Sequence, residues 1–274
     1  MTRVSGAEIL TQLNPGAVQQ RLTARRDAGG KALVPYVTAG ITENWLDYVQ
    51  ACVDGGADAI EIGLPFSDPM LDGPIIQSAS VQALGRGVTV RGLLDELAGF
   101  DSPVPLVAMT YSNIVGRHGY ADFCARLVAA GVSGLIAPDT PVDEVAPLLQ
   151  ISLEAGVELI LLVAPSTKPD RAQRIAQLGR GFIYAVSNMG VTGVRDSVSD
   201  TVGPTVERIR GATHLPVLVG FGISTPEQAV AVSHVSDGAV VASALMRAVL
   251  EGASPADIQD RVGAFRAALD TFEA

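Results

Sequence analysis

The sequence predicts a (β/α)8 TIM barrel with an extra N-terminal helix. Three observations carry this expectation. Short, nearly continuous apolar runs alternate with amphipathic helical patterns along the chain. About eight such strand–helix units can be counted. No linker or low-complexity stretch interrupts them, so the 274 residues are expected to form one domain, 1–274. Continuous apolar runs suit parallel strands covered on both faces. Eight units favour a closed barrel over a doubly wound open sheet, the minority reading of the same alternation.

The elements follow in order. A helical segment, GAVQQRLTARRDAG (16–29), precedes the first strand. LVPYVTAG (33–40) is strand one, followed by ENWLDYVQACVDGG. AIEIGLP (59–65) is strand two, followed by IIQSASVQALG and VRGLLDELAGF. PLVAMTYSN (105–113) leads into YADFCARLVAAG, and GLIAPD (134–139) into VDEVAPLLQISLEAG. ELILLVAP (158–165) precedes DRAQRIAQLG, and FIYAVSN (182–188) precedes a loop and VGPTVERIRGA. PVLVGFG (216–222) leads to TPEQAVAVSHV, and GAVVASAL (238–245) to a short helix and PADIQDRVGAFRAALDTF. Gly55–Gly56, Gly131, Gly156 and Gly179 read as helix ends, where a left-handed residue is wanted. Asp139-Thr-Pro, Lys168-Pro-Asp and Ser224-Thr-Pro read as helix starts.

Composition narrows the class. Hydrophobic residues make up 48% and charged residues 18%, enough apolar material for a closed core. A net charge of −10 argues against nucleic acid and anionic membranes as partners. It leaves room for an anionic small molecule bound by backbone N–H groups. Cys52 and Cys124 lie in helical patterns and read as buried free thiols. His118, His214 and His234 lack ligand spacing, so no metal is expected. The N-terminal stretch has no apolar core of a signal peptide, and a soluble cytoplasmic protein is expected.

In such a barrel the chemistry lies at the C-terminal ends of the strands. Three clusters fall there. The first is IEIGLPFSDPMLDGP (60–74). Strand alternation puts Glu61 and Gly63 on one face, so Glu61 should point into the barrel mouth beside a residue that opens space. Burial there would raise its pKa and suit it to proton exchange near neutral pH. Asp72 follows eleven positions later in a Pro- and Gly-rich loop. It reads equally as a second site acid or as a cap for the helix at Pro74. The second cluster, YAVSNMGVTGVRDS (184–197), reads as a mobile lid over the mouth, with an ordinary surface connection as the alternative. The third joins GFGISTPEQ (220–228) to ASALM (242–246). Gly220, Gly222 and two helix N-termini after strands seven and eight make a phosphate site, with Gly193 closing the ring.

At this point PYVTAG, IEIGLPFSDPMLDGPIIQSA, MTYSN, GLIAPDTP, VAPST, GFIYAVSNMGVTG, GFGIS and SAL can be compared as a set. Their order and spacing resemble the tryptophan synthase α-subunit family, over nearly the whole chain from about Lys31. The resemblance implies retro-aldol cleavage of indole-3-glycerol phosphate to indole and glyceraldehyde 3-phosphate. It implies that Glu61 is the general acid/base and that Asp72 binds the indole N–H. Tyr36, Met109 and Leu135 are implied to line the indole pocket, with Tyr184 beside the site. Thr192 is implied to bond Asp72 on lid closure, and Gly193, Gly222 and Ser243 to bind phosphate. The implied partner is a β subunit in an α2β2 assembly, facing PFSDPMLD and the segment around Asn113. No metal or cofactor is implied for this chain, pyridoxal phosphate belonging to the β partner.

Four positions depart from the family pattern. Ala242 replaces a Gly before Ser243, Tyr36 stands where Phe is frequent, Asn188 replaces a basic or small lid residue, and Thr140 replaces Leu. None touches Glu61 or Asp72. The competing readings are a stand-alone lyase releasing free indole and a non-catalytic phosphate-binding regulatory barrel.

Overall fold

A computed structural model describes residues 14–187 and 198–272. Eight parallel strands close into a barrel in sequence order. They are β1 (Ala32–Thr38), β2 (Ile60–Gly63), β3 (Leu106–Met109), β4 (Val132–Ile136), β5 (Glu158–Val163), β6 (Ile183–Val186), β7 (Val217–Gly220) and β8 (Gly238–Val241). The extra N-terminal helix is α1 (Ala17–Asp27). Around the sheet follow α2 (Trp45–Asp54), α3 (Pro74–Gly85), α4 (Val90–Leu97), α5 (Ser112–Gly116), α6 (Tyr120–Ala129) and α7 (Ala146–Ala155). The ring continues with α8 (Pro169–Leu178), α9 (Val198–Arg210), α10 (Pro226–Ser233), α11 (Ser243–Leu250) and α12 (Pro255–Asp270). The fold is the (β/α)8 barrel, and every expected strand is present.

The register fixes what enters the barrel. Tyr36 pairs with Glu61 and Thr38 with Gly63, while Glu61 pairs with Val107 and Gly63 with Met109. Residues paired across neighbouring strands share a face. The inward set at the C-terminal end therefore holds Tyr36, Glu61, Gly63 and Met109.

The N-terminal end of the barrel holds three buried acids, and each is saturated with donors. Asp58 accepts from Leu33 N–H at 3.0 Å and from Arg266 Nη1 at 3.1 Å. Asp237 accepts from Val217 N–H at 2.8 Å and Arg210 Nη2 at 3.1 Å. Glu158 accepts from Val18 N–H at 2.7 Å and Gln19 N–H at 3.1 Å, which docks the start of α1 onto β5. Such charge-assisted bonds offset the desolvation of a buried carboxylate. These acids hold helices to the sheet.

Several local expectations changed. Gly156 is left-handed at φ 80°, but Gly179 is extended at φ −62°, ψ 156°. Glycine at 179 answers packing, because a Cβ there would press on Ile183 Cδ1. Asp139 does not start a helix of its own; its carboxylate accepts from Ser112 N–H at 2.8 Å and Ser112 Oγ at 2.7 Å, at the start of α5. Cys52 and Cys124 are buried free thiols on α2 and α6. Among the described residues no helix is long and apolar enough to cross a membrane.

Candidate active site

Glu61 is the exception among the buried acids. It is 1% exposed, and its Oε2 has no hydrogen-bond partner among the described residues. Burial pushes its carboxyl up to about 8, and the nearby negative charge of Asp72 pushes the same way. The acids at the other end of the barrel have Arg or backbone N–H partners; Glu61 has an open cavity. A carboxyl in that state holds its proton near neutral pH and can exchange it with a bound molecule.

Asp72 reaches the same cavity from the β2–α3 loop. Its Oδ2 accepts from Tyr111 Oη at 2.9 Å, and the same Oη accepts from Leu71 N–H at 3.0 Å. Tyr111 also stacks on Phe66, ring centroids 5.0 Å apart. One side chain from the β3–α5 junction thus fixes the loop at both ends. Burial raises the Asp72 carboxyl, and the Tyr111 hydrogen bond opposes that rise. The helix-cap reading of Asp72 does not hold. The N-cap of α3 is Gly73, and no side chain caps it.

Two tyrosines cover two glycines. Tyr36 leans over Gly63, and a Cβ on Gly63 would collide with its hydroxyl. Tyr184 leans over Gly220 in the same way. The space expected beside Glu61 is therefore filled by the Tyr36 hydroxyl. Both rings are buried and line the cavity with Met109. Leu135 does not line it, which corrects the expectation. Leu135 pairs with Ala108, while Met109 pairs with Ile136, so Leu135 has the opposite parity and faces the helices. Ile136 takes the inward position on β4.

The far end of the cavity is formed by Phe221, Gly222, Ala242 and Ser243. Phe221 has φ 68°, a left-handed conformation that a bulky residue rarely adopts. The Ser187 hydroxyl donates to its carbonyl oxygen and ties β6 to this turn. The expected pair of free helix N-termini is reduced to one. Gln228 Oε1 accepts from Ser224 N–H at 2.7 Å and Thr225 N–H at 3.3 Å, and Thr225 Oγ1 accepts from Gln228 N–H at 3.3 Å. This capping box uses the start of α10 internally. At α11 the N-cap Ala242 supplies no side-chain cap, so the first-turn N–H groups at Ser243 remain for an anion.

Thr192, Gly193 and Asn188 lie outside the described residues. The larger concavity, about 750 Å³, sits on the outer wall between α4, α5 and α6. Its charged rim pairs within itself, as in Arg126 Nε to Asp122 at 2.8 Å. Chemistry, not size, selects the cavity at Glu61. Among the described residues no group of three or more His, Cys, Asp or Glu is placed to hold a metal. Sequence reading missed Tyr111, although MTYSN places it just past the end of β3, where side chains reach the mouth. It also missed Phe221, whose backbone conformation leaves no mark on composition.

Known proteins resemble this chain over most of its length. A family model described as tryptophan synthase alpha chain matches residues 22–272. The tryptophan synthase alpha chain of Halorhodospira halophila is 43% identical over 262 residues, covering 92% of this chain and 96% of the relative. That of Methanosarcina barkeri is 41% identical over 250 residues, covering 90% and 93%. A crystal structure of tryptophan synthase from M. tuberculosis superposes with TM-score 0.85 at 33% identity, covering 93% of this chain and 99% of that one.

Proposed function

The chain belongs to the tryptophan synthase alpha chain family, and we propose that it cleaves indole-3-glycerol phosphate to indole and glyceraldehyde 3-phosphate. The observation that carries this reading is the buried carboxyl of Glu61, whose Oε2 has no partner among the described residues, facing the cavity that Asp72 also enters.

The step balances with one carboxyl. Neutral Glu61 gives its proton to C3 of the indole ring, which places positive charge on the ring nitrogen. The bond from C3 to the glycerol carbon breaks, and its electron pair restores the aromatic ring. The hydroxyl on that carbon loses its proton to the Glu61 carboxylate and becomes the aldehyde. Asp72 accepts the indole N–H and stabilises the charge that develops there. Its Tyr111 and Leu71 contacts hold it in place beforehand. Gly222 and the start of α11 at Ser243 receive the phosphate. Tyr36, Met109 and Tyr184 enclose the ring. Since one carboxyl gives and regains a proton, the reaction calls for no cofactor on this chain.

We read the chain as a single domain over 1–274 that works in the cytoplasm with a β subunit, in an α2β2 assembly. Met70 is 80% exposed and Leu71 46%, and both sit on the loop that carries Asp72. Exposed apolar side chains beside a site acid support a partner surface there. Indole-3-glycerol phosphate cleavage measured with and without a β chain tests the reading. Cleavage that the β chain strongly stimulates is expected. Turnover near the enzyme median of ~10 s⁻¹ without it would favour the stand-alone lyase. No cleavage under either condition would contradict the assignment.

A further inference from the structure

Tyr36 carries a hydroxyl that the fold itself hardly uses. Its ring is 5% exposed, and its Oη lies where a side chain on Gly63 would begin. Among the described residues the one hydrogen bond it makes is from Thr38 Oγ1 at 3.5 Å, at the long limit of such a contact. The hydroxyl is therefore held by packing, and its loss removes little bonding from the fold. What it does is occupy space. Gly63 is the register partner of Met109, so the occupied volume borders another wall of the same cavity.

We propose that the Tyr36 hydroxyl, seated on Gly63, is the gauge that sets which ring-substituted substrates this site accepts. The proposal rests on the lyase reading given above. In that reading Glu61 meets C3 and Asp72 meets N1, both on the five-membered ring. The six-membered ring is then left to the remaining walls, of which Tyr36 is one. A methyl or chloro group on that ring adds a single heavy atom, about the size of the hydroxyl oxygen. The native pocket excludes it, and Tyr36→Phe makes room for it.

The test compares native protein and Tyr36→Phe, each as the full chain with its β partner. The substrates are indole-3-glycerol phosphate and its 4-, 5-, 6- and 7-methyl and chloro derivatives. Within each protein the readout is kcat/KM for the derivative divided by kcat/KM for the parent. A contact of one methylene's scale is worth about 10- to 200-fold in discrimination. At least one derivative should gain about tenfold in that ratio in Tyr36→Phe. Tyr36→Leu, shorter still, should gain at least as much. Equal ratios in all three proteins would overturn the proposal while leaving the lyase reading intact. Failure of the native complex to cleave the parent compound would remove the lyase reading and the proposal with it.

Discussion

The hydroxyl of Tyr111 donates to Asp72 Oδ2 at 2.9 Å while accepting from the backbone N–H of Leu71 at 3.0 Å. One oxygen therefore fixes both the carboxylate and the main chain that carries it. Tyr111→Phe keeps the ring and its stacking on Phe66 and removes only that oxygen. A hydrogen bond to a charged group contributes about 1.5–3 kcal/mol, so kcat/KM should fall roughly ten- to a hundredfold. The pH profile gives a second readout. The Tyr111 bond holds the Asp72 carboxyl down against burial, so the acid limb of kcat/KM should move to higher pH in the variant. Unchanged activity with an unmoved limb would show that Tyr111 only packs.

Asp72→Asn retains an oxygen for the Tyr111 hydroxyl, so the loop should hold its position. What it loses is the negative charge facing the indole nitrogen. Removal of one preorganised electrostatic group typically lowers kcat by about 10²–10³-fold. A variant with full activity would return Asp72 to a structural role.

The proton on Glu61 links the site to stability. In the folded chain its carboxyl titrates near 8, against an ordinary 4.5. Between those values the folded state holds a proton that the unfolded state has released. The associated stability is fully present below about 4.5 and is lost as pH rises through about 8. Glu61→Gln is neutral at every pH and lacks this loss. Its unfolding free energy relative to native protein should improve with rising pH by on the order of a few kcal/mol. Parallel denaturant curves at acid and alkaline pH measure it, and a difference that does not vary with pH would contradict the buried state of Glu61.

The two helix starts near the anion end should behave differently. Thr225→Ala removes the cap of α10 and should cost about 0.5–2 kcal/mol of stability with little change in KM. Ser243→Asp sets a negative charge on the first-turn N–H groups of α11, so it should raise KM for the phosphate substrate with little loss of stability. Reversed effects would move the anion site to α10.

Much of this architecture was legible in the sequence. The barrel followed from period and count, because short continuous apolar runs fit parallel strands covered on both faces and a count of eight favours closure over an open sheet. The inward position of Glu61 followed from strand parity. Parity also exposes the error at Leu135, whose alternation depends on a register that only the pairing of β3 with β4 settles. Asp72 remained ambiguous because a loop acid before a helix resembles a cap until its partner is known. That partner, Tyr111, lies 39 positions away, and no local pattern connects the two. The α10 capping box was hidden for a related reason. Ser224-Thr-Pro-Glu-Gln reads as a helix start, but whether its N–H groups face a ligand or its own Gln228 is a matter of side-chain direction.

The most direct measurement is steady-state cleavage of indole-3-glycerol phosphate by Glu61→Gln in complex with the β subunit, beside the native complex. Loss of a general acid/base group lowers the rate by about 10²–10⁴-fold, and a fall in kcat of that size with KM little changed is the predicted result. Glu61→Gln turning over at the native rate would contradict the assignment of Glu61 as the group that moves the proton.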